Sequence, residues 1–411
     1  MPSAAGEPDE MLEGIYQDLK PTLSDREERA FRPWHKPRKH YIRIHQWCVE
    51  VRRLIKLNGY QAGDVVRYLG FPGEDFLDVR TLQGVCEPEK ICVRYLGFDS
   101  TSVFAGAEFQ FNLARHEVSQ LGFINEHSFV LRTRIETLAN KNSLAYQRAA
   151  EYHDFDIINI DLCNSLAAPA GDPHPPYFEA IKMLCDLQIA GRTRPWLLFL
   201  ATRAIRDQFD HATKWKLFDC VLRNIGESPQ FAERLQQAFA LNDGAIRNEL
   251  SEAEHLAHSA LVSLFGVSIG KWLLRMLSAA VPKIKVTLLK SYSYRVAIEE
   301  PDMLSMAFRF EPITVSAVDT SGLTKMQSPS PAATPEWQLA VDLIAAVSDI
   351  EDIDQRLLDD PALHEKMIHK CGDLLRTVHY DKEHYKSWAA EASWKPKPQT
   401  STSHIPESPA N

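Results

Sequence analysis

The sequence predicts an α/β fold built on a mainly parallel sheet with helices on both faces, extended by a helical insertion and a small helical C-terminal segment. Short, mainly apolar runs recur at residues 76–79, 91–98, 155–161 and 196–201, the pattern of strands covered on both faces. Stretches of helical length separate them, as crossovers between parallel strands require. An acid lies within or directly after three of the runs, Asp78, Asp99 and Asp161, and ligands of open α/β sheets bind outside the carboxyl ends of the strands.

Composition sets the class. A chain of 411 residues with 45% hydrophobic content can bury a large core. Its net charge of -9 excludes a uniformly basic surface and leaves room for local basic patches only. The seven cysteines are scattered singly, with no Cys-x-x-Cys pair and no zinc-like grouping with histidine. That fits reduced thiols in a cytoplasm rather than a disulfide framework or a metal site. The first twenty residues carry Glu7, Asp9, Glu10 and Glu13 and no apolar core, so no secretory signal is expected. Within the apolar stretch 257–281 the uncharged run covers only 258–270 before Lys271 and Arg275. It is too short to span a bilayer and reads as a buried helix.

In chain order, residues 1–33 read as a flexible acidic arm, and residues 34–318 as the α/β domain. The domain opens with an amphipathic helix, because Tyr41, Ile44, Trp47, Cys48, Val51, Leu54 and Ile55 recur at spacings of three and four. Basic residues lie mostly off that face, and two readings stand for them. One is a solvated helix face. The other is a phosphate-tracking helix on nucleic acid, with Lys36, Arg38, Lys39, Arg43 and Arg53 as contacts. His35, His40 and His45 are five apart and share no helical face, which argues against a metal site.

Gly70-Phe71-Pro72-Gly73 reads as a loop ahead of the first strand, Phe76-Leu77-Asp78-Val79. The second strand, 91–98, ends at Asp99, where Ser100, Thr101 or Ser102 caps a helix through Phe109, Phe111, Leu113 and Val118. Residues 129–131 read as a third strand, 133–152 as a helix, 155–161 and 196–201 as the fourth and fifth strands. Residues 209–281 are helical throughout, an insertion. Residues 284–296 and 305–313 read as a closing antiparallel pair. A Ser/Pro/Thr-rich linker at 319–336, a small helical segment at 337–394 and a disordered tail at 395–411 complete the chain.

A carboxylate at a strand end can accept two hydrogen bonds from a ribose diol, and a glycine lets the backbone approach a cofactor without a Cβ in the way. Asp161 and Asn164, at the end of the fourth strand, either accept from a donor group at the sheet edge or are an ordinary strand-end acid and a turn cap. Cys163 reads as a small buried residue, since no nucleophile signature surrounds it. No phosphate-binding Gly-x-x-x-x-Gly-Lys loop, Gly-x-Ser-x-Gly elbow or His-Glu-x-x-His motif is present.

Phe76-Leu77-Asp78-Val79 followed by Gly84 resembles the first motif of the Rossmann-like methyltransferases that use S-adenosylmethionine. Gly97-Phe98-Asp99 resembles their second motif and residues 155–161 their fourth, so the resemblance covers about residues 34–313. It implies S-adenosylmethionine as cofactor, with Asp78 and Gly84 beside its methionine part and Asp99 on its ribose. It also implies Asp161 and Asn164 as catalytic residues beside the acceptor, for which nucleic acid held by the basic helix is the expected class. Arg80 and Leu82 stand where that family commonly has glycine. The alternative is therefore a cofactor-free scaffold of the same fold acting with protein partners. The helix at 34–47, the Ile-Asp pair of the fourth strand and the long insertion further resemble the three-Cys-motif partner proteins. Those are bacterial methyltransferase-like proteins of mobile and defence genes.

Overall fold

The computed structural model describes residues 29–100, 107–169, 176–313, 334 and 336–391. The acidic arm up to residue 28, the linker up to residue 333, the tail from 395 and the capping candidates Thr101 and Ser102 lie outside them.

A proline at the first helical position, its φ already set for a helix, starts a long rod. The rod comprises α1 (Pro37–Ile42), a π-helical stretch (Arg43–Trp47) and α2 (Cys48–Leu57). Next come β1 (Val65–Gly70), α3 (Leu77–Cys86), β2 (Cys92–Phe98), α4 (Ala107–Ser119) and β3 (Phe129–Leu131). They are followed by α5 (Leu144–Tyr152), β4 (Ile157–Asp161), α6 (Tyr177–Gly191) and β5 (Trp196–Arg203). The insertion holds α7 (His211–Glu227), α8 (Pro229–Phe239), α9 (Asp243–Leu250) and α10 (His258–Ser278). The sheet then closes with β6 (Ile284–Leu288), β7 (Tyr292–Tyr294) and β8 (Met303–Pro312). Last come α11 (Glu336–Ser348), β9 (Glu351–Asp352), α12 (Ile353–Asp359), α13 (Pro361–Arg376) and α14 (Lys382–Glu391).

The strand order is β3-β2-β1-β4-β5-β8-β7-β9, with β6 also paired to β8. Strands β3, β2, β1, β4 and β5 are parallel, and β8 runs antiparallel to β5, β6 and β7. This is a Rossmann-like sheet of the methyltransferase type. The chain winds one way from β1 to β3 and the other way through β4 and β5, so the connections diverge between β1 and β4 and open a crevice at their carboxyl ends.

The first-strand expectation is corrected here. Residues 77–79 are the first turn of α3 and Phe76 lies directly before it, and the strand that fills their place is Val65–Gly70. The apolar run at 76–79 has another cause. Leu77 packs with Cys371, Leu375, Val378 and Tyr385 from the C-terminal helices, while Phe76 and Val79 pack beneath the sheet. Gly70-Phe71-Pro72-Gly73 thus follows the first strand instead of preceding it. The helix expected at 133–152 is interrupted as well: a short 3-10 turn (Ile135–Ala139) and α5 flank Asn140-Lys141-Asn142-Ser143, whose last residue caps α5 through its side chain.

Both faces of the sheet are covered. Val66, Tyr68, Val93, Tyr95, Ile157 and Phe199 meet α1 to α4 on one side. Leu69, Leu96, Ile158, Ile160, Leu198 and Leu200 meet the remaining helices up to α11 on the other. The alternation follows from the two-residue period of a strand. Helix α10 is the one described helix long and apolar enough to cross a membrane, and it is mostly buried inside the protein. Its Gly270 lies against Leu343 of α11, where a Cβ would come within 2.5 Å of Leu343 Cδ1. The run expected as one strand at 284–296 is split because residues 289–291 oppose only 306 and 307 of β8, a one-residue bulge.

Candidate functional site

The carboxyl ends of β1, β2 and β4 bound a cavity of about 610 Å³, within the size range of small-molecule sites. Its lining includes Gly73, Asp78, Asp99, Asp161, Cys163 and Asn164, with Phe71, Pro72, Phe98 and Tyr177 as apolar and aromatic wall. Four of the five cofactor and catalytic candidates read from the sequence therefore meet in one crevice. Gly84 does not. It sits on the exposed side of α3, two turns from the crevice end of the helix, and lines no part of the cavity.

The glycines that shape the crevice are those of the segment 70–73, which sequence reasoning placed ahead of the strand. Gly73 has φ of +61° and open space where a Cβ would stand, so it supplies the close, left-handed backbone a ligand loop needs. Gly97, on β2, is required for a different reason. A Cβ there would lie 2.9 Å from Pro72 Cγ and 3.0 Å from Val130 Cγ2, so its bareness is what lets the loop after β1 lie down against β2. Phe76 takes φ of +53° directly before α3, an uncommon conformation for a bulky residue. The signal for this loop was available: Val65-Val66-Arg67-Tyr68-Leu69 is rich in β-branched and aromatic residues and ends at a Gly/Pro turn.

Arg80 and Leu82 are not loop residues, and neither crowds the cavity. Arg80 pairs with Glu117 at 3.0 Å and donates to the Asp75 carbonyl at 3.3 Å, while Leu82 is core.

The basic helix turns inward, which corrects its expected exposed row. Arg38, Lys39 and Arg43 are buried and each is spent on a carboxylate. Arg38 donates to Asp354 at 2.9 Å, Lys39 to Asp161 at 2.6 Å and Arg43 to Asp78 at 3.1 Å. Lys39 and Arg43 are four residues apart, which puts them on one helix face, and Arg38 lies beside them. Arg53 is exposed and pairs with Glu50 of its own helix, and Lys36 is half-buried. Burial opposes charge on Lys39, but the Asp161 carboxylate and its hydrogen bond outweigh it and hold the ammonium above its ordinary pKa. At Asp78 burial dominates and, with the neighbouring Asp161, raises the carboxyl despite Arg43. Asp161 and Asp78 thus reach the crevice through cations that sequence distance hides, 122 and 35 residues away.

Cys163 is exposed at the cavity rather than buried. Partial burial and the adjacent Asp161 raise its thiol pKa, which disfavours the thiolate a nucleophile needs. A second wall comes from the first and last described segments. Asp75 accepts from Arg29 and Tyr380 and lies 3.0 Å from His35 Nε2. Burial pushes its carboxyl up, and His35 and Arg29 bring it below the usual range.

A family model described as PP_RS20740-like matches residues 28–390. The chain belongs to that family. Among solved structures, the crystal structure of the SAH-bound methyltransferase PaMTH1 from Podospora anserina is similar at 12% identity, covering 76% of this chain and 100% of that one with a TM-score of 0.28. No curated protein gives a significant match.

Proposed function

We propose that the crevice binds S-adenosylmethionine and that the protein is a divergent methyltransferase. The observation that carries this reading is the convergence of Gly73, Asp99 and Asp161, from the ends of β1, β2 and β4, on a single cavity where the chain direction diverges. The residues fit such a cofactor. Asp99 is buried at the end of β2, the position from which a carboxylate can take a ribose diol, and Gly73 leaves its side of the loop open. Bound there, the cofactor would supply an electrophilic methyl group.

The chain's own residues would do the rest. Asp161 and Asn164 would accept hydrogen bonds from a donor on the acceptor and orient it. Lys39 would hold Asp161 in place, and Phe98 and Tyr177 would exclude water. Calorimetry tests the reading. The protein titrated with S-adenosylmethionine should give saturable heat, and Asp99→Ala should weaken binding by about tenfold or more, the loss of one to two charge-assisted hydrogen bonds. No heat at millimolar cofactor would remove the proposal.

One observation favours a second reading, a cofactor-free scaffold acting with other proteins. Asp78, a member of the cavity wall, is buried and already bonded by Arg43, so part of the polar lining is satisfied within the protein. A stable complex with partner proteins in the absence of any cofactor heat would select it.

A further inference from the structure

We propose that a second cavity, of about 590 Å³, binds an aliphatic monocarboxylate, its carboxylate held by Ser293 and the N-terminus of α10 and its alkyl chain laid on an apolar floor. The cavity lies between the insertion helices α8 and α10, the strands β7 and β8 and the end of α11. It shares no lining residue with the crevice and does not rest on the cofactor reading.

A buried hydroxyl is left open to this cavity. Ser293, in the middle of β7, is 7% exposed. Its neighbours Tyr292 and Tyr294 pack on one side of the sheet, so strand alternation turns Ser293 to the other. There it stands opposite Leu304 of β8, and both line the cavity. The other buried serines among the described residues all hydrogen-bond within the protein. Ser165 and Ser228 accept from backbone N–H groups, Ser268 and Ser291 donate to carbonyls, and Ser305 donates to Gln46. The Ser293 hydroxyl has no protein partner among those residues. Leaving a buried hydroxyl unpaired is costly, and a ligand group in the cavity can meet it.

The helix that begins at the cavity is uncapped. α10 runs for 21 residues, and its N-cap is Ala257, which has no side chain to accept from the first turn. His258, Ser259 and Ala260, the residues of that turn, line the cavity. His258 is fixed there, because its Nε2 donates to the Pro301 carbonyl at 3.0 Å. Such a terminus carries about half a positive charge and favours an anion.

The remaining lining sets the class of anion. Among the described residues no lysine or arginine lines the cavity, and its one acidic side chain is Glu300, which is exposed and screened by solvent. A phosphate or other dianion would find no full positive charge to offset it, whereas a single carboxylate suits a helix terminus and one hydroxyl. Val262, Leu304 and Val347 are buried and, with Ile350, form an aliphatic floor for an alkyl chain. The volume falls in the range of small-molecule sites.

Calorimetry on the full chain with sodium octanoate tests the proposal. Wild-type protein should give saturable heat at one site per chain, and 1-octanol, which lacks the charge, should bind about tenfold more weakly. Ser293→Ala removes only the hydroxyl and should weaken octanoate about tenfold, the share of one hydrogen bond to a charged group. Ser348→Trp, at an exposed lining position, should close the cavity and abolish the heat with an unchanged thermal melt. Asp99→Ala, in the crevice, should leave octanoate binding as in the wild type. The absence of octanoate heat, equal affinity for 1-octanol, loss of binding in Asp99→Ala, or wild-type affinity in Ser293→Ala or Ser348→Trp would each overturn it.

Discussion

At the scale of single residues, this protein places charge inside itself and neutralises it there. Breaking a buried ion pair by removing one member costs about 3–5 kcal/mol, so Lys39 with Asp161 and Arg43 with Asp78 fix the crevice floor more firmly than any exposed pair. His40 is the exception, a buried imidazole with no partner. Burial first, then Arg43, Lys370 and His45, lowers its pKa to about 3. Because the folded value lies below the unfolded one, the unfolded chain takes up the proton first. Stability is therefore intact above about pH 6.5 and is lost as pH falls from there toward 3. Between pH 7 and pH 5 this one residue should account for a loss of about 2 kcal/mol. His40→Leu, which keeps most of the volume and removes the two unpaired nitrogens, should shrink the stability difference between pH 7 and pH 5 by that amount in urea denaturation. An unchanged acid dependence would show that His40 is solvated or protonated in the folded state.

At the scale of elements, the parallel strands after the first were legible because residues 91–98, 155–161 and 196–201 are predominantly apolar, as a two-sided burial demands. The first strand was not. Val65–Gly70 differs little in pattern from β2, whose Arg94 stands beside Arg67, but residues 76–79 drew the reading because they are rich in apolar residues for a reason outside their own neighbourhood, the C-terminal segments that cover Leu77. Asp99 and Asp161 were found because a strand end is a local feature. Gly84 was misplaced because it was counted from the wrong strand. Inward burial of Arg38, Lys39 and Arg43 could not be read from helical periodicity, since their partners Asp354, Asp161 and Asp78 belong to other elements. The loop after β1 offers a direct test of the corrected placement. Gly97→Ala would force Pro72 and Val130 apart, and overpacking of this kind costs about 1–3 kcal/mol. It should lower the melting temperature and weaken S-adenosylmethionine heat in the same variant. A Gly97→Ala protein with wild-type stability and wild-type heat would mean that the loop does not rest on β2.

At the scale of the whole molecule, the first and the last described segments close over the same region. The segment from Arg29 to Arg43 is held by the last helices: Tyr385 donates to the His35 carbonyl at 2.7 Å and the Cys371 thiol to the same oxygen at 3.3 Å. Arg29 donates to the Val378 carbonyl at 3.2 Å, and Arg38 pairs with Asp354. Phe31 adds ring contacts with Tyr380, Tyr385 and Trp388. Residues 337–391, expected as an appendage, are therefore continuous with the wall of the crevice, because Asp75 and Leu77 touch both. Tyr385→Phe separates this tie from simple packing, since the ring stays and only the stronger of the two donors to a buried carbonyl is lost. A thiol is a weak donor and cannot replace it. The expected outcome is a loss of about 1–2 kcal/mol in denaturant unfolding, with faster amide exchange confined to residues 33–47 and 380–389. Faster exchange spread evenly over the sheet would instead mean general destabilisation, and an unchanged pattern would mean that the ends do not support each other.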